Sequence, residues 1–93
     1  MVATSRLNRF ERQTEILRSI AHPIRLAMIE LLQRGRRMSV SEIHSALKIE
    51  QATASHHLKI LRQVGIVKVE REGRYSYYLL ADEVYPQIVQ LLG

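Results

Sequence analysis

The sequence predicts a mainly α-helical domain with one small β-hairpin. Apolar residues recur at spacings of three and four through the first two thirds of the 93-residue chain. The pattern then changes to β-rich runs of Val and Tyr on either side of a polar tip that contains Gly73. Within residues 39–78, two short helical patterns joined by a tight turn are followed directly by this basic hairpin. That order is a helix-turn-helix with a wing, and we expect one domain over residues 1–93 with the element order α-α-α-α-β-β-α.

The first helix is predicted over residues 4–19, where Leu7, Phe10 and Leu17 form an apolar stripe between Arg and Glu residues. This stripe could pack inside its own subunit or against a partner. A chain of this length buries only about 60 to 65% of its unfolded surface. A leading helix outside the helix-turn-helix also has little core of its own to cover. We therefore expect the first helix to contact a partner.

The second helix follows His22 and begins at Pro23, where the missing N–H of proline costs nothing because first-turn amides have no helical acceptor. It is predicted to end at Gly35, which is expected to be the C-cap. Apolar residues lie on most of its sides, so we expect it to be the central buried helix. These residues are Ile24, Leu26, Ala27, Met28, Ile29, Leu31 and Leu32.

The third and fourth helices form the predicted helix-turn-helix. Ser39 and Glu42 have the separation of a capping box, and the helix that they open is followed by a turn at residues 48–50. The fourth helix is predicted over residues 51–64 and ends before Gly65. Its inward stripe is Ala54, Leu58 and Leu61, and the opposite side carries Ala52, His56, Lys59 and Gln63.

The hairpin is predicted from Ile66 onward, with a minimal extra strand near Met38. A last helix is predicted from Asp82, over residues 82–92. Its apolar residues recur at helical spacing, which again gives one apolar face. They are Val84, Tyr85, Ile88, Leu91 and Leu92.

The exposed side of the fourth helix carries the residues that we expect to bind DNA. A helix fits the major groove, where each base pair presents a distinct pattern of donors and acceptors. Gln51 can pair with adenine, and the Thr53 methyl group can contact thymine. Ser55 and Lys59 are better suited to phosphates, which position the helix without specifying sequence. The predicted DNA-binding residues of this helix are Gln51, Thr53, Ser55, His56 and Lys59.

The hairpin tip supplies two further predicted DNA-binding residues, Arg71 and Arg74, which flank Gly73. An arginine there can enter the narrow, electronegative minor groove. Taken alone, an exposed polar helix face is usually only solvated, and a charged hairpin tip is usually only a turn. A polar helix face followed by a basic hairpin, in this order, indicates a DNA-binding protein far more specifically than either feature alone. The formal net charge of +5 also favours a polyanionic partner, which we expect to be double-stranded DNA.

Three blocks of the sequence resemble the ArsR/SmtB family of bacterial winged-helix repressors: AHPIRLAMIELL, QATASHHLKILRQVGIV and REGRYSYYLL. The resemblance covers residues 20–80 and implies a homodimer on an inverted-repeat operator, with one recognition helix for each half-site. By position, it places Gln51, Ser55 and His56 on that helix, and Arg71, Gly73 and Arg74 in the wing. Relatives often carry Arg where this chain has His56, so base preference stays open and binding could depend on pH.

The same resemblance implies that the first and last helices, about residues 4–19 and 82–92, form the dimer interface. The residues that we expect there are Leu7, Phe10, Leu17, Ile88, Leu91 and Leu92.

Members of this family often release DNA when a metal binds, and neither familiar type of site is expected here. Ser39 and Ser41 stand where one type has cysteines, and serine cannot replace a soft thiolate. A second type would begin near Asp82, but Val84 replaces a ligand and the sequence ends before the second pair of ligands. We therefore predict no metal and no cofactor.

Four histidines leave one metal alternative open. His56 and His57 are adjacent and point about 100° apart on a helix, so they do not form the i, i+4 pair that one ion could bridge. His57 is expected to be a packed core residue and His22 a helix-start residue, whereas His44 lies where some relatives have a ligand. A His-based metal-responsive repressor remains the alternative.

Other classes of function are excluded or weakened by composition. The chain has no cysteine, which excludes disulfides, thiolate sites and thiol redox sensing. No nucleophile, base and orienting group converge, and no phosphate-binding Gly loop is present, so we predict that it is not an enzyme. No apolar run is long enough for a signal peptide or a membrane span, and we expect a cytoplasmic protein. A winged-helix protein-interaction module is the competing function. The effector, the operator and the direction of regulation stay open.

Overall fold

Five helices and a three-stranded antiparallel sheet form the part of the chain described by the computed structural model, which covers the backbone of residues 2–93 and the side chains of residues 6–93. In chain order the elements are α1 (Val2–Ile20), α2 (Pro23–Gly35), β1 (Arg37–Ser39), α3 (Val40–Leu47), α4 (Gln51–Gln63), β2 (Val67–Glu72), β3 (Tyr75–Leu80) and α5 (Val84–Leu91). The predicted element order is confirmed, and β1 is the minimal strand expected near Met38.

Helix α2 lies at the centre of the structure, as its apolar residues predict. It contacts every other helix and two of the three strands. Its Met28, Ile29 and Leu32 are almost completely buried, because the helix presents apolar side chains to neighbours on several sides. The other buried hydrophobic residues are Ile20, Ile43, Ala54, Leu58, Leu61, Val64, Ile66 and Val67.

The starts of α2 and α3 follow the local signals in the sequence. The imidazole Nδ1 of His22 accepts a hydrogen bond of 3.1 Å from the backbone N–H of Ile24, which caps the first turn of α2. At α3, the backbone N–H of Glu42 donates to the Ser39 hydroxyl, and the Glu42 carboxylate accepts from the Ser39 N–H at 3.0 Å. The predicted capping box is therefore confirmed.

The prediction that Gly35 is the C-cap of α2 was wrong. Gly35 is the last residue of the helix, and Arg36 is the C-cap with a φ of 64°. A Cβ atom on Gly35 would lie 2.5 Å from the Met38 sulfur, so this glycine is needed for space rather than for a left-handed backbone. The chain turns sharply into β1 at this point, where Arg36 has a positive φ.

The last helix begins later than predicted, at Val84 rather than Asp82. The Asp82 carboxylate accepts a hydrogen bond of 2.8 Å from the Val84 N–H. A side chain that binds a first-turn amide in this way stays just outside the helix, which accounts for the difference.

The sheet has the strand order β1-β3-β2, so β3 pairs on both sides. Its register sets Met38 opposite Tyr78 and Val69 opposite Tyr78 from the other side. Strands β2 and β3 are joined by a two-residue turn in which Gly73 has a φ of 61°, a conformation that glycine adopts without strain. Within residues 2–93, no helix is both long enough and apolar enough to cross a membrane.

Candidate nucleic-acid interface

Helix α4 is fixed by one fully buried side. Ala54, Leu58 and Leu61 have no exposed surface, as the inward stripe predicts. The turn before the helix is tight because Lys48 adopts the left-handed conformation with a φ of 56°. The His44 ring closes this turn, with Nδ1 lying 3.2 Å from the carbonyl oxygen of Ile49. The orientation of α4 is therefore set by the core and by the turn.

The opposite side of α4 presents the predicted polar row to solvent. Gln51, Ser55, His56 and Lys59 are exposed, and Thr53 is half-buried at the edge of the row. These side chains supply amide, hydroxyl, imidazole and ammonium groups along one helix face. Such groups can contact base edges and phosphates in a major groove.

His57 anchors α4 to α2 and does not belong to the exposed row. Its side chain is buried, with the Nδ1 atom 3.2 Å from Nη1 of Arg25 and the ring centroid 4.5 Å from that of His22. Because an arginine can only donate, Nδ1 accepts and the imidazole is neutral. Burial is the main cause that lowers the pKa of His57, and electrostatic interactions with His22, Arg25 and His56 lower it further. The predicted core role of His57 is confirmed.

The contact with His57 holds Arg25 beneath α4. Its Nη1 atom faces His57, while its buried Nε atom has no hydrogen-bond partner among the described residues. Sequence reasoning missed Arg25, because its role depends on a residue 32 positions away.

The histidines are used in structural contacts. His22 caps α2, His44 closes the turn, and His57 packs beneath α4, while His56 contacts His57 edge to face at 5.2 Å. In the part of the chain that the structure describes, no group of three or more His, Asp or Glu side chains is placed to hold a metal ion.

The hairpin presents Arg71 and Arg74 to solvent at its tip, beside Gly73. Successive residues of a strand point to opposite faces. Arg71 therefore lies on the face of β2 that carries Val67 and Val69, and Glu70 and Glu72 lie on the other face. Arg71 is thereby separated from Glu70 and Glu72, whereas Lys68 lies on the same face of β2 as the two carboxylates.

Arg37 on β1 is a functional candidate that sequence reasoning missed. Its guanidinium lies 4.1 Å from the centroid of the Tyr77 ring and 3.9 Å from the Glu70 carboxylate, and it bonds to Glu72. The hydrogen bond that Arg37 donates to Glu72 is the main reason that the pKa of Arg37 is raised. No local pattern could have indicated this cluster, because its members come from three strands.

Arg12 makes a second contact that sequence reasoning missed, between α1 and the end of α4. Its Nη2 atom donates a hydrogen bond of 3.0 Å to the carbonyl oxygen of Val64, the C-cap residue of α4. A cation at a helix C-terminus is favourable because the last carbonyls carry partial negative charge. This contact links the leading helix to the helix that carries the polar row.

The apolar residues at the two ends of the chain are largely uncovered. Leu7 is 62% exposed and Leu17 54%, with Phe10 also exposed beside them, and Leu91 and Leu92 are 86% and 73% exposed. An open groove of about 630 Å³ runs beside α1 and includes Leu7, Phe10 and Ile60 in its lining. Ile88 differs, because it packs partly against the core of its own subunit. Of the predicted dimer residues, five therefore offer exposed surface and one offers only part of its surface.

Comparisons with known proteins identify relatives of the chain. A family model described as a helix-turn-helix domain matches residues 20–70. The HTH-type transcriptional repressor SmtB of Mycobacterium tuberculosis is 43% identical over 75 residues, which cover 81% of this chain and 55% of that protein. The chain thus spans about half the length of that relative.

Two solved structures share the fold. The transcriptional repressor PagR of Bacillus anthracis superposes with a TM-score of 0.83 at 31% identity, over 94% of this chain and 99% of that one. A homodimeric winged helix-turn-helix DNA-binding domain from Mycobacterium bovis superposes with a TM-score of 0.84 at 28% identity, over 94% of this chain and 80% of that one. These likenesses confirm the predicted fold class.

Proposed function

Because the chain belongs to the ArsR/SmtB family of winged helix-turn-helix transcriptional repressors, we propose that it is a homodimeric repressor that binds an inverted-repeat operator through α4 and the hairpin. Members of this family are regulators of transcription, not enzymes. The observation that most directly supports DNA binding is that α4 has a buried apolar side and an exposed polar row. A helix held in this way can enter a major groove without losing its packing against the core.

We propose that residues of the polar row contact bases near the start of α4 and phosphate farther along the helix. Gln51 lies in the first turn of α4, where recognition helices contact base edges, and its amide can form two hydrogen bonds to adenine. Thr53, Ser55 and His56 follow within the next turns. Lys59 lies two turns from the start, where its ammonium suits a phosphate better than a base.

The hairpin is proposed to hold the flanking DNA. Arg71 and Arg74 are exposed at its tip, and the delocalised charge of arginine suits the narrow minor groove and the phosphates beside it. These contacts would add affinity and register, with little discrimination between bases.

The second subunit is proposed to cover the exposed ends of the chain. Leu7, Phe10 and Leu17 on α1 and Leu91 and Leu92 at the C-terminal end form apolar surface that a partner copy would remove from water. The homodimeric relative from Mycobacterium bovis supports this arrangement. A symmetric dimer would carry two α4 helices and would therefore require two half-sites related by inversion.

We also propose that repression by this chain does not use either familiar metal site of the family. Ser39 is engaged in the capping box of α3, and Ser41 offers only a hydroxyl group. Val84, which stands at a ligand position of the other type of site, has no atom that can bind a metal. Adding zinc, cadmium or nickel should leave operator affinity unchanged. If one of these ions releases DNA and alanine substitution of His44 abolishes the effect, the His-based alternative is favoured; if substitution of Ser39, Ser41 or Asp82 abolishes it, this part of the proposal is contradicted.

Operator selection tests the function directly. Purified protein is incubated with a random DNA pool at about 150 mM salt, where non-specific binding is weak, and the retained sequences are determined. We expect enrichment of an inverted repeat, together with the mass of a dimer in solution. Retention of sequences without a common repeat would refute sequence-specific binding. A monomer with no DNA preference would favour the protein-interaction module.

A matched pair of variants tests the role of α4. Gln51→Ala should relax the preference at one base position of each half-site and weaken binding by about 1 to 3 kcal/mol per contacted base pair. Gln63→Ala removes the same exposed side chain from the far end of the same helix and should have no effect. Equal behaviour of the two variants would contradict the assignment of Gln51.

A further inference from the structure

The charges of the hairpin are poorly balanced for DNA binding. Its strands and turn carry three cations, Lys68, Arg71 and Arg74, but also two carboxylates, Glu70 and Glu72, so the net charge is only +1. A carboxylate left unpaired near DNA would repel the phosphates. A hairpin that binds DNA therefore needs these two carboxylates to be neutralised or held away.

The alternation of β2 places both carboxylates on one face. Glu70 is paired with Tyr77 and Glu72 with Tyr75, whereas Arg71 between them points to the other face. The carboxylates are thus close to each other and lie next to aromatic side chains of β3. Lys68 also lies on this face, but among the described residues both carboxylates are paired with a different cation. A cation that reaches across β3 can contact both carboxylates.

Arg37 is that cation. It belongs to β1, on the far side of β3 from the carboxylates, and its side chain crosses β3 over the Tyr77 ring. Its Nε atom lies 3.9 Å from Glu70, and its Nη2 atom bonds to Glu72. One guanidinium therefore joins all three strands, through the stacking and pairing geometry that arginine allows and lysine does not.

Through β1, the Arg37 contact also links the hairpin to the helix-turn-helix. Strand β1 runs from Arg37 to Ser39, and Ser39 is the N-cap of α3, the first helix of the helix-turn-helix. The free end of the hairpin is therefore fastened directly to the segment that starts the helix-turn-helix. Without the Arg37 side chain, β1 would hold the hairpin only through its pairing with residues 77–79 of β3.

On these grounds we propose that Arg37 is a positioning residue for DNA binding. It holds Glu70 and Glu72 against the face of the hairpin opposite Arg71 and fixes the hairpin relative to the helix-turn-helix, without contacting DNA itself. This inference rests on the proposed function. It makes Arg37 part of the DNA-binding machinery through other residues, whereas Arg71 and Arg74 act by direct contact.

A mutant cycle on the selected operator tests the inference. Arg37→Ala should weaken binding about twofold to fivefold, in keeping with the loss of exposed ion pairs. The same substitution in a Glu70→Gln, Glu72→Gln background should weaken binding less than about twofold, because the groups that Arg37 acts on are already neutral. Arg34→Ala, which removes an exposed arginine from α2, is the matched control and should change affinity little.

The salt dependence of binding separates positioning from direct contact. A cation that contacts a phosphate releases about one counterion, so its removal lowers the slope of log K against log salt by about 1. Arg37→Ala should leave this slope unchanged, whereas Arg74→Ala should lower it. Circular dichroism and dimer mass check that each variant is folded. If Arg37→Ala does not fold, Arg37→Gln, which keeps most of the side-chain stem over Tyr77, replaces it.

The results distinguish failure of the role of Arg37 from failure of the proposed function. An equal loss in both backgrounds, a slope lowered by about 1, or no loss at all would overturn the role of Arg37 while leaving the proposed function intact. If the unchanged protein selects no operator, the proposed function fails, and the role of Arg37 fails with it.

Discussion

Replacing Leu17 with alanine is expected to weaken the dimer about thirtyfold. Leu17 is 54% exposed in the single chain, so about half of its surface is available to a partner. Burying a whole leucine side chain is worth about 1.5 to 3 kcal/mol, and half of it gives about 1 kcal/mol per subunit. A symmetric interface contains the residue twice, which makes about 2 kcal/mol per dimer. Since 1.4 kcal/mol corresponds to a tenfold change, the dissociation constant should rise about thirtyfold.

Sedimentation equilibrium over a range of protein concentrations measures this constant. Two matched variants define the background: Leu17→Met keeps the apolar volume and should cost less than about 1.5 kcal/mol, and Gln13→Ala changes an exposed polar residue of the same helix. Circular dichroism at high protein concentration should show unchanged helix content. A Leu17→Ala protein that dimerises as tightly as the Gln13→Ala control would refute the proposal that α1 faces the partner.

Three further predictions concern the stability of the fold, each measured by urea unfolding. Burial, and to a lesser extent electrostatic interactions with His22, Arg25 and His56, lower the pKa of His57 below its usual 6.5, so the unfolded chain binds more protons than the folded one. Stability should therefore fall as the pH drops below about 6.5, by at most about 1.4 kcal/mol per pH unit. A His57→Gln protein with an equally steep loss would contradict this origin. Ser39→Ala should cost about 0.5 to 2 kcal/mol through loss of the capping box, whereas Ser45→Ala on the exposed side of α3 is the control. Gly35→Ala should destabilise the protein, because its Cβ atom would displace Met38. The cost of Gly35→Ala should be smaller in a Met38→Ala background than in the unchanged chain, and an equal cost in both backgrounds would contradict a clash with Met38.

The features that the sequence predicted well are set by interactions between near neighbours. The capping box depends on residues three apart, and the inward stripe of α4 follows from the helical period. The hairpin turn depends on the freedom of Gly73 to adopt a positive φ. The same local rules identified the exposed row from Gln51 to Lys59. Each of these features can be worked out from a window of fewer than about 18 residues.

Sequence reasoning was least informative where a contact, rather than a helical or strand period, decides the outcome. Gly35 had the local signature of a C-cap, but the helix continues through Gly35 and Arg36 is the C-cap. Ile88 fits the apolar stripe on α5, and part of its surface packs against the core of its own subunit. Its place in a dimer interface stays a prediction. Helical spacing gives the face on which a residue lies, but only the packing of the helices decides which neighbour covers that face.

By itself, the sequence determined the order of the elements, the polar row on α4 and the basic tip of the hairpin. Only the tertiary structure showed how these parts are held. It brought Arg37 to Glu70 and Glu72, Arg12 to the end of α4, and Arg25 to His57, over separations of 32 to 52 residues along the chain. Such pairings depend on strand register and helix packing, which arise from burial of the whole core, and no periodic pattern within one segment encodes them.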